Sequence, residues 1–245
     1  ETTFKFIEDV LDEVMELFPS KVIHIGGDEV DKYLWTRCDD CKRRMKEEHL
    51  ARPEHLESYL IARVEKYLNA RGREIIGWDE ILEGGLAPNA KVMSWRGEDG
   101  GIEAAKQHHE VVMTPWDWCY FDHDHRSLPI ESVLGYDPAP ASRGAGLAKY
   151  VLGAQANIWT ETLPNRAAME DRMFPRLLAM SQILWTREKE SVDSFRSRLA
   201  AHIPNMEGFH RRYMAANKVL RLVHAALDNP SARVTPQREP ERIAS

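Results

Sequence analysis

KVIHIGGDEV, residues 21–30, decides how this chain is read. Its first half is a short β-branched apolar run, and its second half is two glycines followed by adjacent carboxylates, Asp28 and Glu29. A run that is apolar on both faces suits a buried strand of a parallel sheet. Neighbouring residues of a strand point to opposite faces, so these two acids cannot face one another as a working pair while the strand continues. They can turn toward the same place only if the strand has already ended. Whether they do chemistry depends on what the other strands deliver.

Upstream, Phe6, Ile7, Val10, Leu11, Val14, Leu17 and Phe18 recur at helical spacing, and Pro19 stops them. Downstream, PEHLESYLIARVEKYLN (53–69) opens with proline at a first helical position and carries Leu56, Tyr59, Leu60, Val64 and Leu68 on one side. WTRCDDCKRRM reads as helix or loop. Four further strands follow: EIIGW (74–78), KVMSW (91–95), EVVMTP (110–115) and the start of VLGAQANIW (151–159). Between them lie DEILEGGLAPN with a short helical turn, the helix GGIEAAKQ (100–107), and an aromatic, proline-bearing loop over 116–148. Residues 167–185 and 191–228 read as helical, and 229–245 as a polar tail.

Apolar strands alternating with helices make an α/β fold, a parallel sheet covered by helices. Exit loops dense in Trp, Asp, Glu and Tyr favour a (β/α)8 TIM barrel, whose chemistry collects at the carboxyl ends of its strands. A doubly wound nucleotide-binding fold is the competitor, but no GxGxxG follows the first strand. Only five strands can be found, where a closed barrel needs eight.

The composition excludes several classes. Of 245 residues, 43% are hydrophobic, enough for a substantial core. The 33 basic and 39 acidic residues leave a net charge of -6, and KRRMK (42–46) is too short a basic patch for a nucleic-acid groove. No apolar run approaches the roughly 18 residues of a membrane span. The opening ETTFKFIEDV has neither initiator Met nor signal-peptide pattern, as expected of a mature piece or a fragment. Of three cysteines, Cys38 and Cys41 form a CxxC, open to a structural role, a redox pair or zinc; Cys119 reads as a small packing residue.

Each strand exit carries a polar or aromatic payload. In chain order these are His24, Asp28 and Glu29; Trp78, Asp79 and Glu80; Trp95 and Arg96; Trp116, Asp117, Trp118, Tyr120 and Asp122, with His123 and His125 beyond; and Gln155, Asn157, Trp159 and Glu161. Acids and tryptophans together suit a pocket that stacks a sugar ring and binds its hydroxyls. Simpler readings compete. His24 could be a satisfied core histidine, Trp95 a core residue, and Asp79 and Glu80 more readily cap the turn that follows them than take part in catalysis. The His-Asp-His run at 123–125 lacks a clear further metal ligand, and no metal or cofactor is expected. Glycoside hydrolysis normally uses two separated carboxyl groups, which adjacent acids do not supply in the usual way.

HIGGDEV is similar, residue by residue, to the His-x-Gly-Gly-Asp-Glu motif of glycoside hydrolase family 20, the β-N-acetylhexosaminidases. IIGWDEIL, VMSWRG, the YFD at 120–122 and GAQANIWTE extend the resemblance in the family's order, over about residues 1–190. It implies exo-hydrolysis of terminal β-linked GlcNAc or GalNAc, with the substrate's own 2-acetamido oxygen as nucleophile and an oxazolinium intermediate. Glu29 would be the general acid and then base, Asp28 would hold the acetamido N–H, and Tyr120 would orient its carbonyl. Trp78, Trp95 and Trp159 would wall the sugar, Asp122 and Glu161 would bind its hydroxyls, and His24 would lie just behind the acids. Glu29 has to arrive protonated, which semi-burial against Trp and the charge of Asp28 would favour.

In complete family members three strands precede the Asp-Glu motif; here one helix does. The resemblance therefore implies a barrel lacking its first three strands and the ring-binding Arg they carry. Residues 1–190 would be the catalytic portion, strands four to eight of the family pattern, with 191–228 a helical segment packed on it. Such a piece would expose strand edges and apolar surface, and would need the missing N-terminal part or an oligomer partner. Two alternatives stand beside this reading: a two-carboxylate β-glycosidase using Asp122 or Glu161 as nucleophile, and a truncated, inactive sugar-binding fragment. The expected partner is an N-acetylhexosamine-bearing glycan, with neither nucleic acid nor membrane. The family resemblance suits a periplasmic, lysosomal or secreted setting, while the residues themselves assign no compartment.

Overall fold

The computed structural model describes residues 1–139, 146–186 and 190–213. The expected segments 214–228 and 229–245 lie outside the described residues. The chain divides into two compact units: Glu1–Trp116 with Pro138–Gln155, and Asp117–Asp137 with the described residues from Ala156 onward.

The first unit holds a five-stranded sheet. Its strands are β1 (Val22–His24), β2 (Glu74–Trp78), β3 (Lys91–Ser94), β4 (Val111–Met113) and β5 (Val151–Ala154). All neighbours are parallel and the spatial order is the sequence order, β1 to β5. A doubly wound sheet reverses its order part-way. A sheet that advances by one strand at each right-handed crossover is an arc of a (β/α)8 barrel. The strand count and the barrel expectation both hold.

Helices α1 (Thr2–Leu17), α2 (Asp39–Glu47), α3 (Pro53–Asn69) and α4 (Asp99–Lys106) complete this unit. The strand alternation separates two faces. Ile23, Ile75, Val92, Val111 and Met113 face the helices and are fully or nearly buried, with Leu68 of α3 and Ala104 and Ala105 of α4. Gly101 of α4 lies so close to Met113 and Val111 that a Cβ would meet the Met113 sulfur at 2.7 Å. The other face carries Ile76, Trp78 and Met93, packed with Val22, Trp95 and Val112. A barrel interior consists of such side chains.

Three expectations need correcting. On α3 the buried stripe is Ile61, Val64 and Leu68 together with Glu57 and Glu65, not the run through Leu56, Tyr59 and Leu60. The two acids are buried because each has a partner: Lys32 for Glu57, and the Asn89 N–H for Glu65. The aromatic loop contains two short helices, α5 (Trp116–Cys119) and α6 (Ile130–Gly135). The stretch 167–185 is two helices, α7 (Arg166–Met173) and α8 (Arg176–Trp185), because Pro175 has no N–H to continue the first. The helix expected from 191 is α9 (Val192–Tyr213), which buries Phe195 and Leu199 in the second unit.

Apolar surface is left open on α1. Leu11 alone of that helix is buried, while Phe6 is 69% and Leu17 74% exposed, with Val10 and Phe18 also exposed. β1 is an edge strand of the described sheet. No helix among the described residues is long and apolar enough to cross a membrane.

Candidate active site

The residues singled out in the sequence divide between the units. His24, Asp28, Glu29, Trp78 and Trp95 belong to the first; Tyr120, Asp122, Trp159 and Glu161 belong to the second.

In the first unit the two glycines explain the adjacent acids. The Ile25 N–H donates to the Ile76 carbonyl, so pairing with β2 persists one residue past β1. The chain then turns through Gly26 (φ +73°) and Gly27 (φ +96°), both left-handed. A Cβ on Gly27 would sit 2.6 Å from Ile81 Cγ2, and one on Gly77 would lie 3.0 Å from the Gly26 carbonyl oxygen. That carbonyl accepts the Trp78 N–H at 2.9 Å, stitching the turn to the end of β2. Asp28 and Glu29 come after the turn, and Glu29 is itself left-handed at φ +50°. Strand alternation has ended before the acids begin, so it no longer sets their directions. Both are exposed, so the expected semi-burial of Glu29 is not found. The left-handed turn carries it out of the sheet's packed layers.

His24 ends β1 with its ring 4.7 Å from that of Trp78. Its Nδ1 accepts the Gly26 N–H at 3.1 Å, so the neutral ring carries its proton on Nε2. Loss of solvent around the ring pushes its pKa down, and the Asp28 charge pulls the other way. His24 thus serves the turn's geometry and is not a buried core histidine.

The exits of β2 and β3 are joined by charge. Asp79 and Glu80 are 4% and 5% exposed. They are not helix caps, since no side-chain cap bond is made at their 3-10 turn, Asp79–Leu82. They fix the next exit instead: Trp95 Nε1 donates to Glu80 at 2.9 Å and its backbone N–H to Asp79 at 3.3 Å. Arg96 reaches Asp79 at 3.2 Å, Glu80 at 3.6 Å and Glu83 at 2.9 Å. Burial pushes the Glu80 carboxyl up, against the Trp95 hydrogen bond. Glu83 also takes Lys32 at 3.1 Å, and Lys32 reaches Glu57 of α3 at 2.9 Å. Lys32 lies three residues beyond Glu29. A continuous chain of ion pairs therefore runs from α3, through Lys32 of the acid-bearing loop, to Arg96 and to Asp79 and Glu80, which accept hydrogen bonds from Trp95.

In the second unit Tyr120 forms a parallel bridge with Asn157. The Phe121 N–H donates to the Asn157 carbonyl at 2.7 Å, and the Asn157 N–H to the Cys119 carbonyl at 2.8 Å. The Tyr120 and Trp159 rings lie 6.2 Å apart, and Asp122 accepts the Trp159 N–H at 3.4 Å. Tyr120, Asp122 and Trp159 are thus brought together; Glu161 lies two residues farther on, exposed. Beneath them is Arg176, which is fully buried. Its guanidinium donates to the carbonyls of Phe121 (2.7 Å), His123 (2.9 Å), Leu128 (3.3 Å) and Arg172 (2.9 Å). Burial pushes its pKa down to about 10.

Arg176 and Lys32 were not singled out in the sequence, where a helix-initial Arg and a surface-looking Lys carry no distinguishing pattern. The His123–His125 run is a loop device. Asp124 accepts the N–H groups of Arg126 and Ser127, and His125 Nε2 donates to the Asp171 carbonyl at 2.6 Å. Among the described residues no group of three or more His, Cys, Asp or Glu comes together as a metal site.

The glycosyl hydrolase family 20 catalytic-domain model matches residues 1–188. The chain belongs to glycosyl hydrolase family 20. This family-20 chain is 46% identical over 198 residues to a β-hexosaminidase of Porphyromonas gingivalis, covering 76% of the chain and 26% of that protein. A β-hexosaminidase of Vibrio furnissii is 31% identical over 193 residues, 73% of the chain and 32% of the relative. Among solved structures it resembles a Vibrio harveyi GH20 exo-β-N-acetylglucosaminidase in complex with N-acetylglucosamine, with TM-score 0.76 and 28% identity over 83% of this chain and 34% of the other. It spans about a quarter to a third of the length of these proteins. Its fold is a partial (β/α)8 barrel.

Proposed function

We propose that this chain carries the acid pair and part of the sugar-binding wall of an exo-acting β-N-acetylhexosaminidase that removes terminal β-linked GlcNAc or GalNAc by substrate-assisted retention. The observation that carries the proposal is the Gly26–Gly27 turn, which ends the strand before Asp28 and Glu29 begin. Two acids freed from strand alternation can serve different atoms of one substrate.

In the first step the substrate's acetamido oxygen attacks the anomeric carbon as the glycosidic C–O bond breaks. Glu29 gives its proton to the departing oxygen, and Asp28 accepts the acetamido N–H and stabilises the positive charge on the forming oxazolinium. Water then attacks the anomeric carbon, Glu29 takes back a proton, and the acetamido group is restored. Tyr120 donates to the acetamido carbonyl oxygen and aligns it for attack. Trp78, Trp95 and Trp159 line the sugar, Asp122 and Glu161 accept from its hydroxyls, and His24 holds the turn behind the acids. The five strands take positions four to eight of the barrel. The edge position of β1 in the described sheet and the exposed Phe6, Val10 and Leu17 of α1 support the reading that further barrel strands complete the domain there.

The test is turnover of an aryl β-N-acetylglucosaminide against the matching aryl β-glucoside, with Glu29→Gln alongside. The proposal expects cleavage of the acetamido substrate only, lowered on the order of a hundredfold or more in the variant. Equal cleavage of the glucoside would move the nucleophile to an enzyme carboxylate such as Asp122 or Glu161. Sugar binding without turnover, in a protein with all eight strands, would reduce the chain to a binding module.

A further inference from the structure

The CxxC pair plays no part in the proposed glycosidase chemistry, and its placement is specific. Cys38 is the N-cap residue of α2, a nine-residue helix. Its Sγ accepts the backbone N–H of Cys41 at 3.4 Å, so the first turn folds the later cysteine back onto the earlier one. Both thiols are half-buried, in contrast to Cys119, which is fully buried. An N-cap residue and the residue three positions on share one face of the helix end, so the two cysteine side chains start from the same side of the first turn.

We propose that Cys38 and Cys41 are a thiol–disulfide exchange site, in which Cys38 attacks a low-molecular-weight disulfide and Cys41 resolves the product into an intramolecular bond. The Cys38 thiolate attacks one sulfur of the small disulfide, breaking its S–S bond and releasing one small thiol. A mixed disulfide on Cys38 results. The Cys41 sulfur, giving up its proton, then attacks Cys38 Sγ and releases the second small thiol. The sum is one small disulfide and two protein thiols converted to one protein disulfide and two small thiols.

The order of roles follows from surroundings. The Cys41 N–H bond, and then the Cys41 thiol itself, pull the Cys38 pKa down, while loss of solvent and the neighbouring Cys38 push Cys41 up. The thiolate is the nucleophile, so the residue that ionises first attacks first. The pair begins nine residues beyond Glu29, at the end of the segment that Lys32 ties to Glu57 and Glu83. The proposal is independent of the glycosidase reading, and its test reads thiols, not turnover.

The experiment exposes the reduced, folded chain to oxidised glutathione, quenches by alkylation, and maps products by intact mass and peptide mass. The expected result is loss of two free thiols, one disulfide within the Cys38–Cys41 peptide, and an unmodified Cys119. Cys41→Ser should accumulate a stable glutathione adduct on Cys38. Cys38→Ser should form its adduct on Cys41 at least about tenfold more slowly. Serine is itself a good N-cap, so Cys38→Ser keeps the helix start, and Cys41→Ser keeps the backbone N–H that the cap accepts. Absence of an internal disulfide, a disulfide joining two chains, or equal reactivity of the two variants would each overturn the proposal.

Discussion

The loop after β1 and the loop that begins at Tyr120 are held in opposite ways. The first is positioned by backbone conformation and by ion pairs: two left-handed glycines, then Lys32 between buried Glu57 and more exposed Glu83. The second is positioned from beneath by one fully buried guanidinium that gathers four carbonyls. The difference teaches what each loop tolerates. A buried guanidinium cannot be lost without leaving buried carbonyls unpaired, whereas Glu57, though buried, can take up a proton when Lys32 is lost, and Glu83 is open to solvent.

The largest expected effect is therefore in the second unit. Arg176→Met should cost about 3 kcal/mol or more in urea unfolding, because several buried carbonyls lose their donor at once. A cost below about 1 kcal/mol would mean water replaces the guanidinium and the contrast fails. In the first unit Gly27→Ala should come next, at about 2 kcal/mol, from a left-handed φ and the Ile81 methyl in the way. Its loss should appear in urea unfolding with little dependence on salt, since no charge changes.

Lys32→Met should cost about 1–2 kcal/mol at neutral pH, because Glu57 can neutralise itself, and its effect should depend on pH. Burial raises the Glu57 pKa, while Lys32 lowers it. A carboxyl with a raised folded pKa contributes stability below its unfolded pKa and loses that contribution as pH rises through the folded value. Removing Lys32 raises Glu57 further, so the penalty should be present at neutral pH and fade as the medium is made acidic enough to protonate Glu57. A penalty that is flat with pH would show that Lys32 acts through packing alone. The smallest effect is on His24. Asp28→Asn removes the charge that raises its pKa, so an NMR titration of the ring should shift to lower pH. A shift upward would contradict the placement of Asp28.

The barrel arc was legible because its strands are short apolar runs separated by helices of clear period, with proline and glycine at the joins. The acids were legible as a motif, but their freedom from strand alternation was not. That depends on Ile81 and Gly77 packing against the turn, contacts made across more than fifty residues. Asp79 and Glu80 were misread as caps because adjacent acids at a turn look alike whether they cap it or reach the next strand. Only the fold brings Trp95 and Arg96 to them. Arg176 illustrates the same limit, since nothing local distinguishes an arginine that will bind four carbonyls from one on the surface. The α3 stripe was misjudged because Glu57 and Glu65 are buried on account of partners elsewhere in the chain.

The central claim is that Asp28 and Glu29 serve different atoms of one substrate. It is tested most directly by kcat/KM for a series of aryl β-N-acetylglucosaminides with leaving groups from good to poor, in the wild type, Asp28→Asn and Glu29→Gln. The account predicts that the Glu29→Gln deficit grows as the leaving group worsens, because a lost proton donor matters most to the most basic departing oxygen. The Asp28→Asn deficit should stay nearly constant across the series, because it weakens the attacking acetamido group for every substrate alike. The same leaving-group dependence in both variants would contradict the account, since the two carboxylates would then be acting on the same atom.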